Sequence, residues 1–457
     1  MASRPQDPHS PPGVDDDLWE SGPVYTASNR PLARLVARPV REFLRVEAAG
    51  SLLLLLAAAA ALVWANSPWA SSYDSLWHTH LVLDAGPLHL DETLQDWVND
   101  ALMVVFFFVV GLEIKYELVN GDLRDPRTAA LPIVAAVGGM VVPAAVYLAV
   151  NPPGSDGSAG WGIPMATDIA FAVGVLGVLG RRIPSAARLF LLTLAIVDDI
   201  GAILVIAVFY TSDLSLGWLA IALGLLAAMA VAKALRIWTV VLYAVLGIGV
   251  WFALLESGVH ATLAGVAIGL LAPATPLLNE EVAREYARAA LRDHHLDADE
   301  LARLRFLLKE SVSVVERLQA ALHPVSAYVV LPVFALANAG VELGAIGKVF
   351  TEPVGLGIVL GLALGKPVGI LVASFVAVRL GLGRLPSGTT WPMILGLGAV
   401  GGIGFTVSIF IAGLSFPGAE LLTEEAKIAI LLASLGAAVV GVVVLLVATS
   451  RRPSPDI

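Results

Sequence analysis

An all-α, polytopic membrane helical bundle is the fold class that this sequence predicts, and three observations carry the prediction. Of its 457 residues, 57% are hydrophobic and only 14% charged, with a mean hydropathy of +0.81, against roughly 25% charge in a soluble domain. Apolar stretches of about 20 residues, the length a helix needs to cross a bilayer, recur along almost the whole chain after residue 46. Runs such as SLLLLLAAAAALVWA, residues 51–65, lack the alternation of a barrel strand, and only helices and closed barrels satisfy their backbone groups in lipid.

Apolar length and polar breaks predict twelve spans, near residues 47–66, 94–118, 129–150, 161–180, 187–210, 214–232, 237–255, 258–273, 325–341, 354–378, 389–416 and 426–448. The eighth is short. The eleventh is long and interrupted by Gly401, Gly402 and Gly404, a pattern of broken or closely packed helices. Ahead of the first span, about 30 polar, proline-rich residues carrying Asp15, Asp16 and Asp17 have no basic region and short apolar stretch of a cleavable signal. They predict a disordered cytoplasmic tail, 1–46, before a membrane domain of 47–450 and a short cytoplasmic tail of 451–457. Alternating the loops from a cytoplasmic start places 25 of the 28 Lys and Arg on the inner side; Lys348 and Lys427 fall outside and Lys366 within a span. That asymmetry is the positive-inside pattern, and it predicts both termini in the cytoplasm.

Two loops carry structure of their own. Residues 277–323, rich in Glu, Arg, Ala and Leu, read as one or two amphipathic cytoplasmic helices joined near His294, His295 and Asp297. LVLDAGPLHL, residues 81–90, alternates around an Ala-Gly-Pro turn and predicts a small hairpin.

Composition also narrows function. No cysteine means no disulfide, iron–sulfur cluster or thiolate metal site, and no cofactor is expected. A net charge of −10 argues against a nucleic-acid partner. What stands out is charge inside apolar sequence. Asp198 and Asp199 lie at the middle of the 24 residues from Ala187 to Tyr210, whose other charge is Arg188 at one end. A charge at the bilayer centre costs roughly 2.5–3.5 kcal/mol on insertion scales. Thr167 and Asp168 in GIPMATDIAF and Lys366 in LGLALGKPVG lie near the centres of their own spans, so all three groups share one depth.

A lone intramembrane charge can be a structural ion pair or face a bundle interior. Three acids and one base at one level instead make a negative, oxygen-rich site suited to a small hard cation, with the Thr167 hydroxyl beside it. Carboxylates away from water are also proton sites, since desolvation and like-charged neighbours favour the neutral form. If cation and proton compete there, and the empty charged site does not reorient, exchange follows by linkage. Adjacent aspartates lie about 100° apart around a helix, so one is expected to meet the cation and the other Lys366 or a neighbouring helix.

At these residues the chain resembles the NhaA family of bacterial sodium/proton antiporters, from about Glu47 to Val447. The motifs are WVNDALMVVFFFVVGLEIKYEL (97–118), ATDIAFAVGVLG (166–177), LAIVDDIGAI (194–203), SGVHATLAGV (257–266), HPVSAYVVLPVFALANAG (323–340), GKPVGI (365–370) and GIGFTVSIFIAG (402–413). The resemblance implies inverted-topology repeats with two discontinuous, crossing helices, broken at Thr167 and Asp168 and at Gly402, Gly404 and Thr406. It implies Asp199 as central sodium or lithium ligand, joined in a sodium site by Asp198 and Thr167. Asp198 would be proton carrier or partner of Lys366, and either Asp198 or Lys366 the source of the second proton. Lys366 and Asp168 would balance facing helix-end dipoles.

It further implies a pH-response or entrance region of Glu113, Glu117 and His260, near cytoplasmic helix ends or the entrance, with Asp100 lining a funnel, and a homodimer in the bacterial inner membrane. Glu113 and Glu117 read equally well as helix-end charges, and His260 as a capped core histidine. The long N-terminal tail, the 277–323 insertion, Tyr116 and Gln319 depart from the family pattern and bear on regulation. The function so implied is electrogenic, pH-regulated sodium/proton antiport, not an enzymatic activity. A sodium-coupled solute carrier and a passive cation channel are the alternatives; an intramembrane aspartyl protease needs YD and GxGD contexts that the chain lacks.

Overall fold

The computed structural model describes residues 49–450 apart from 86–87, 212–213, 236, 238 and 293–296. Both expected tails, and His294 and His295, lie outside the described residues. Helix dominates. Ala49–Ala65 (α1) turns through 115° into Ala70–Trp77 (α2). His80–Ala85 (β1) and Leu88–Thr93 (β2) then pair antiparallel, His80 opposite Thr93 and Ala85 opposite Leu88, which is the hairpin the alternation predicted. Leu94–Trp97 leads through a wide turn, Val98–Leu102, into Met103–Val119 (α3).

Pro126–Val150 (α4) starts on an Asp125 cap, whose carboxylate accepts from Arg127 N at 3.1 Å and Thr128 Oγ1 at 2.9 Å, with proline at the first position, where its missing N–H costs nothing. A 3₁₀ segment, Ser158–Met165, then runs back alongside it, and after a break at 166–168 Ile169–Leu179 (α5) follows. Next come Ser185–Phe209 (α6), Leu216–Ala234 (α7), Val240–Leu255 (α8) and Leu263–Leu271 (α9). The insertion forms two helices, Glu280–Arg292 (α10) and Ala298–Glu310 (α11). Val314–Asn338 (α12) and Pro353–Arg379 (α13) each contain a wide turn, Ser326–Val330 and Gly361–Gly365. Trp391–Gly401 (α14) bends by 49° into Phe405–Ser415 (α15), and Glu420–Ser450 (α16) closes the chain.

Helix is present at all twelve expected positions. Among the described residues seven helices, or up to nine if each bent pair counts as one, are long and apolar enough to cross a membrane. Large apolar side chains such as Val178 and Val240 are 80% exposed, so the surface these helices present suits lipid rather than water. Two boundaries differ from expectation. The segment 258–273 is helical only over nine residues, about 14 Å at 1.5 Å per residue, because it opens with turns around Gly258, whose φ is +77°. α12 begins eleven residues before the expected 325, because Ser313 caps it by accepting from Glu316 N at 3.2 Å and buried Val315 packs on Leu112.

One large core joins α1, α3, α12, α15 and the first halves of α13 and α16; a second joins α4, α5, α6 and α14 with the second halves of α13 and α16. A smaller one seats α7 and α8 on α9. α9 can pack so tightly on α3 because of Gly265 and Gly269, four residues apart. A Cβ on Gly265 would run into the Val104 carbonyl and lie 2.8 Å from Phe108 N, and one on Gly269 would lie 2.8 Å from the Phe108 carbonyl. Small residues at this spacing let helix backbones touch. Gly265→Leu is therefore expected to destabilise the protein by about 1–3 kcal/mol of overpacking, read as a lower thermal midpoint in detergent. Gly217→Leu, in open space, should leave the midpoint in place; equal shifts would contradict this packing.

Candidate ion-binding site

The two breaks meet. Ala166–Asp168 is extended, and Asp168 N donates to the Ile403 carbonyl at 2.6 Å, so the gap before α5 lies against the gap between α14 and α15. Gly402 and Gly404 permit the approach: a Cβ would lie 2.5 Å from the Leu362 carbonyl at the first and 3.0 Å from the Ala166 carbonyl at the second. Four helix ends therefore converge, each with backbone groups lacking an intrahelical partner.

Asp168 serves both N-terminal ends. Its Oδ1 accepts from Phe171 N of α5 at 3.1 Å, and its Oδ2 accepts from Thr406 N of α15 at 3.0 Å and from Thr406 Oγ1 at 2.7 Å. One buried anion thus faces two positive helix ends. The C-terminal ends are met by donors: Lys366 Nζ donates to the Met165 carbonyl, and Thr167 Oγ1 is 2.8 Å from the Gly401 carbonyl.

Lys366 is fully buried on α13, directly after the wide turn Gly361–Gly365, and its Nζ lies 2.5 Å from Asp198 Oδ2 on α6. Thr167 Oγ1 is 2.6 Å from the same oxygen; its single proton serves either Asp198 or Gly401 at one time. Asp198 Oδ1 has no hydrogen-bond partner. Asp199 points elsewhere, as a 100° offset demands. It is 5% exposed, its Oδ1 also lacks a partner, and it lines a cavity of about 150 Å³ with Glu113, Thr167, Asp168, Ser326 and Thr406.

The structure thus brings together Thr167, Asp168, Asp198, Asp199, Lys366 and Thr406, beside Gly402 and Gly404. Glu113, one helical turn before Glu117 on α3, also lines the cavity. The remaining three do not form one region. Glu117 Oε2 accepts from Asp122 N at 2.9 Å, at the end where α4 begins. His260 Nε2 donates to the Tyr210 carbonyl at 2.8 Å. Tyr210 in turn donates to the Ala159 carbonyl at 2.7 Å, at the other end of α4, whose 25 residues span about 37 Å. His260 therefore lies at the opposite end of α4 from Glu117. Asp100 lies in the wide turn Val98–Leu102 with its carbonyl accepting from Trp251 Nε1 at 2.8 Å, about 20 Å along the helix from Glu113. The family resemblance, not a spacing in the sequence, is what groups these residues.

The carbonyls of Met165, Gly401 and Ile403 carry no side-chain signal and were not legible. Ser408, whose Oγ donates to the Ile163 carbonyl at 2.7 Å, lies in GIGFTVS, and Ser326 in HPVSAY, where a hydroxyl in apolar sequence is the available signal.

A multi-pass integral membrane protein, helical throughout its bundle, with an ion pair and an unpaired carboxylate buried at a crossing of broken helices is the class defined here. The family model for Na+/H+ antiporter 1 matches residues 41–445. Similar proteins include Na(+)/H(+) antiporter NhaA 2 of Sorangium cellulosum, 48% identical over 94% of each chain, and Na(+)/H(+) antiporter NhaA 3 of Frankia alni, 49% identical over 92% of this chain and 90% of the relative. Na(+)/H(+) antiporter NhaA of Rhodopirellula baltica is 46% identical over 90% of this chain and 94% of its own. The chain belongs to the Na+/H+ antiporter 1 family.

Breaking a buried ion pair by removing one partner costs about 3–5 kcal/mol, whereas replacing both partners is often neutral. Lys366→Met is expected to lower the thermal midpoint sharply, and Lys366→Met combined with Asp198→Asn to restore much of it. A double variant no more stable than the single one would contradict a pairing of these two side chains.

Proposed function

We propose that this chain exchanges sodium or lithium for protons, with cation and proton competing for the site at Asp198 and Asp199. The observation that carries the reading is the asymmetry of the pair: each aspartate keeps one buried oxygen without a partner, but Asp198 is matched by Lys366, whereas Asp199 has no paired cation among the described residues and lines the cavity. An ionised carboxylate held so costs several kcal/mol unless a cation or a proton joins it, so it takes one or the other. Family membership, and relatives named as Na(+)/H(+) antiporters, support sodium and protons as the two substrates. The cavity, about 150 Å³, is smaller than the roughly 300–1,000 Å³ of pockets for small organic molecules, which favours an ion over a solute.

On this reading Asp199 is the central cation ligand, Asp198 and Lys366 handle protons with Thr167 between them, and Asp168, Thr406, Gly402 and Gly404 maintain the crossing. Loading by either ion permits the site to open alternately to the two sides. More than one proton per sodium makes exchange electrogenic, worth about 2.3 kcal/mol per net charge per 100 mV. Glu113, sharing the cavity with Asp199, and Glu117, Asp100 and His260, nearer helix ends, tune the response to pH. The Lys and Arg asymmetry supports twelve passes, in inverted repeats, with tails 1–46 and 451–457 in the cytoplasm and 47–450 in the bacterial inner membrane. The hairpin β1–β2, a two-stranded sheet with open edges, suits a homodimer contact.

Proteoliposomes with an imposed sodium gradient and an internal pH dye are expected to show proton movement that depends on sodium; a sodium-independent signal would sink the proposal. Asp199→Asn should abolish sodium binding by calorimetry. For one displaced proton, wild-type sodium affinity should weaken about tenfold per pH unit on the acid side, and a pH-independent affinity would contradict competition.

A further inference from the structure

The insertion between α9 and α12 takes no part in the site. Its second helix, α11, buries none of its residues. Leu301 is 56% exposed, Phe306 55% and Leu308 47%. At 100° per residue, Leu308, Leu301, Arg305, Lys309, Ala302 and Phe306 occupy one continuous arc of about 160°, and its charges are both cationic. The acids of α11, Asp299, Glu300 and Glu310, fall outside that arc. The partly covered Leu304 and Leu307 lie on the opposite side.

The end of α11 is also anchored in height. Leu277 N and Leu278 N each donate to the Glu310 carbonyl at 3.1 Å; Arg317 Nη1 donates to the Lys309 carbonyl at 2.9 Å and pairs with Glu310 at 3.1 Å. Val315 N donates to the Pro273 carbonyl at 3.1 Å, two residues beyond the last residue of α9. Phe306 and Leu308 thus lie within about a turn of where the chain leaves and re-enters the bundle.

We propose that α11 is an interfacial helix that rests its Leu301, Phe306 and Leu308 face on the bilayer, with Arg305 and Lys309 on anionic headgroups of the adjoining leaflet. Arg305 and Lys309 stand at the middle of that arc, with Leu301 and Leu308 to one side and Phe306 to the other, so a helix lying at headgroup depth gains from apolar burial and from anionic lipid together. Two features select lipid over an acidic protein surface: the anchoring at the membrane edge, and cations interleaved with large apolar groups. The inference needs only that the bundle sits in a bilayer and is independent of which ions it carries.

The chain has no cysteine, so single cysteines at Leu301, Leu308 and Arg303 can each carry an environment-sensitive fluorophore without background. The full chain is reconstituted in phosphatidylcholine alone or with phosphatidylglycerol, with quenchers placed on acyl chains or in water. With phosphatidylglycerol, acyl-chain quenching at 301 and 308 should exceed that at 303 by about threefold or more. Arg305→Glu with Lys309→Glu should abolish the difference. Thermal midpoint and sodium/proton exchange, read on the same samples, separate misfolding from loss of docking. Equal water quenching at all three positions overturns the proposal, as does acyl-chain quenching indifferent to phosphatidylglycerol. Shielding of 301 and 308 that requires an added soluble protein also overturns it.

Discussion

Everything at the centre of this protein depends on satisfying four helix ends that meet away from water. The first half-segment ends at Met165 and α14 ends at Gly401, while α5 and α15 begin across the gap. Two N-terminal ends share the Asp168 carboxylate and two C-terminal ends receive donors from Lys366 and Thr167. Irregular backbone inside a membrane is tolerated only where protein or a water-lined cavity satisfies it. The charged side chains therefore do structural work before any ion arrives.

That arrangement leaves one group over. Lys366 meets Asp198 and the Met165 carbonyl, and the dipoles of α5 and α15 meet Asp168, so the remaining carboxylate, Asp199, has no cation of its own among the described residues. Its neighbour in the cavity, Glu113, is another acid and adds to the deficit. The proposed exchange rests on this imbalance: a buried site that is whole only with a transported cation or proton in it couples the two without a separate device.

Much of this was legible in the sequence because lipid leaves few alternatives. Helix is present at each of the twelve positions where apolar length predicted it, α2 being one helix it did not announce, and charges within such runs marked Asp168, Asp198, Asp199 and Lys366, since each is expensive unless partnered. The alternation in LVLDAGPLHL predicted β1–β2. The eighth span reads as short from the sequence, but the late start of α9 at Leu263 and the early start of α12 were missed because turns at Gly258 and the Ser313 cap act locally, below the resolution of a hydropathy window. His260 and Asp100 are grouped with Glu117 by the family resemblance, which carries a shared role and not a shared position in the fold.

By itself the sequence determined that the chain is a bundle of membrane helices and that four ionisable residues lie at one depth, because hydrophobic length and charge cost depend only on order along the chain. The tertiary structure decided which of two adjacent aspartates meets the lysine, since a 100° step around α6 is resolved only by where α13 stands. It also supplied what no side chain announces, the carbonyls of Met165, Gly401 and Ile403 and the cavity at Asp199. Those exist only when two breaks more than 230 residues apart are brought into contact, and backbone polarity is the same at every position until the fold leaves it without a partner.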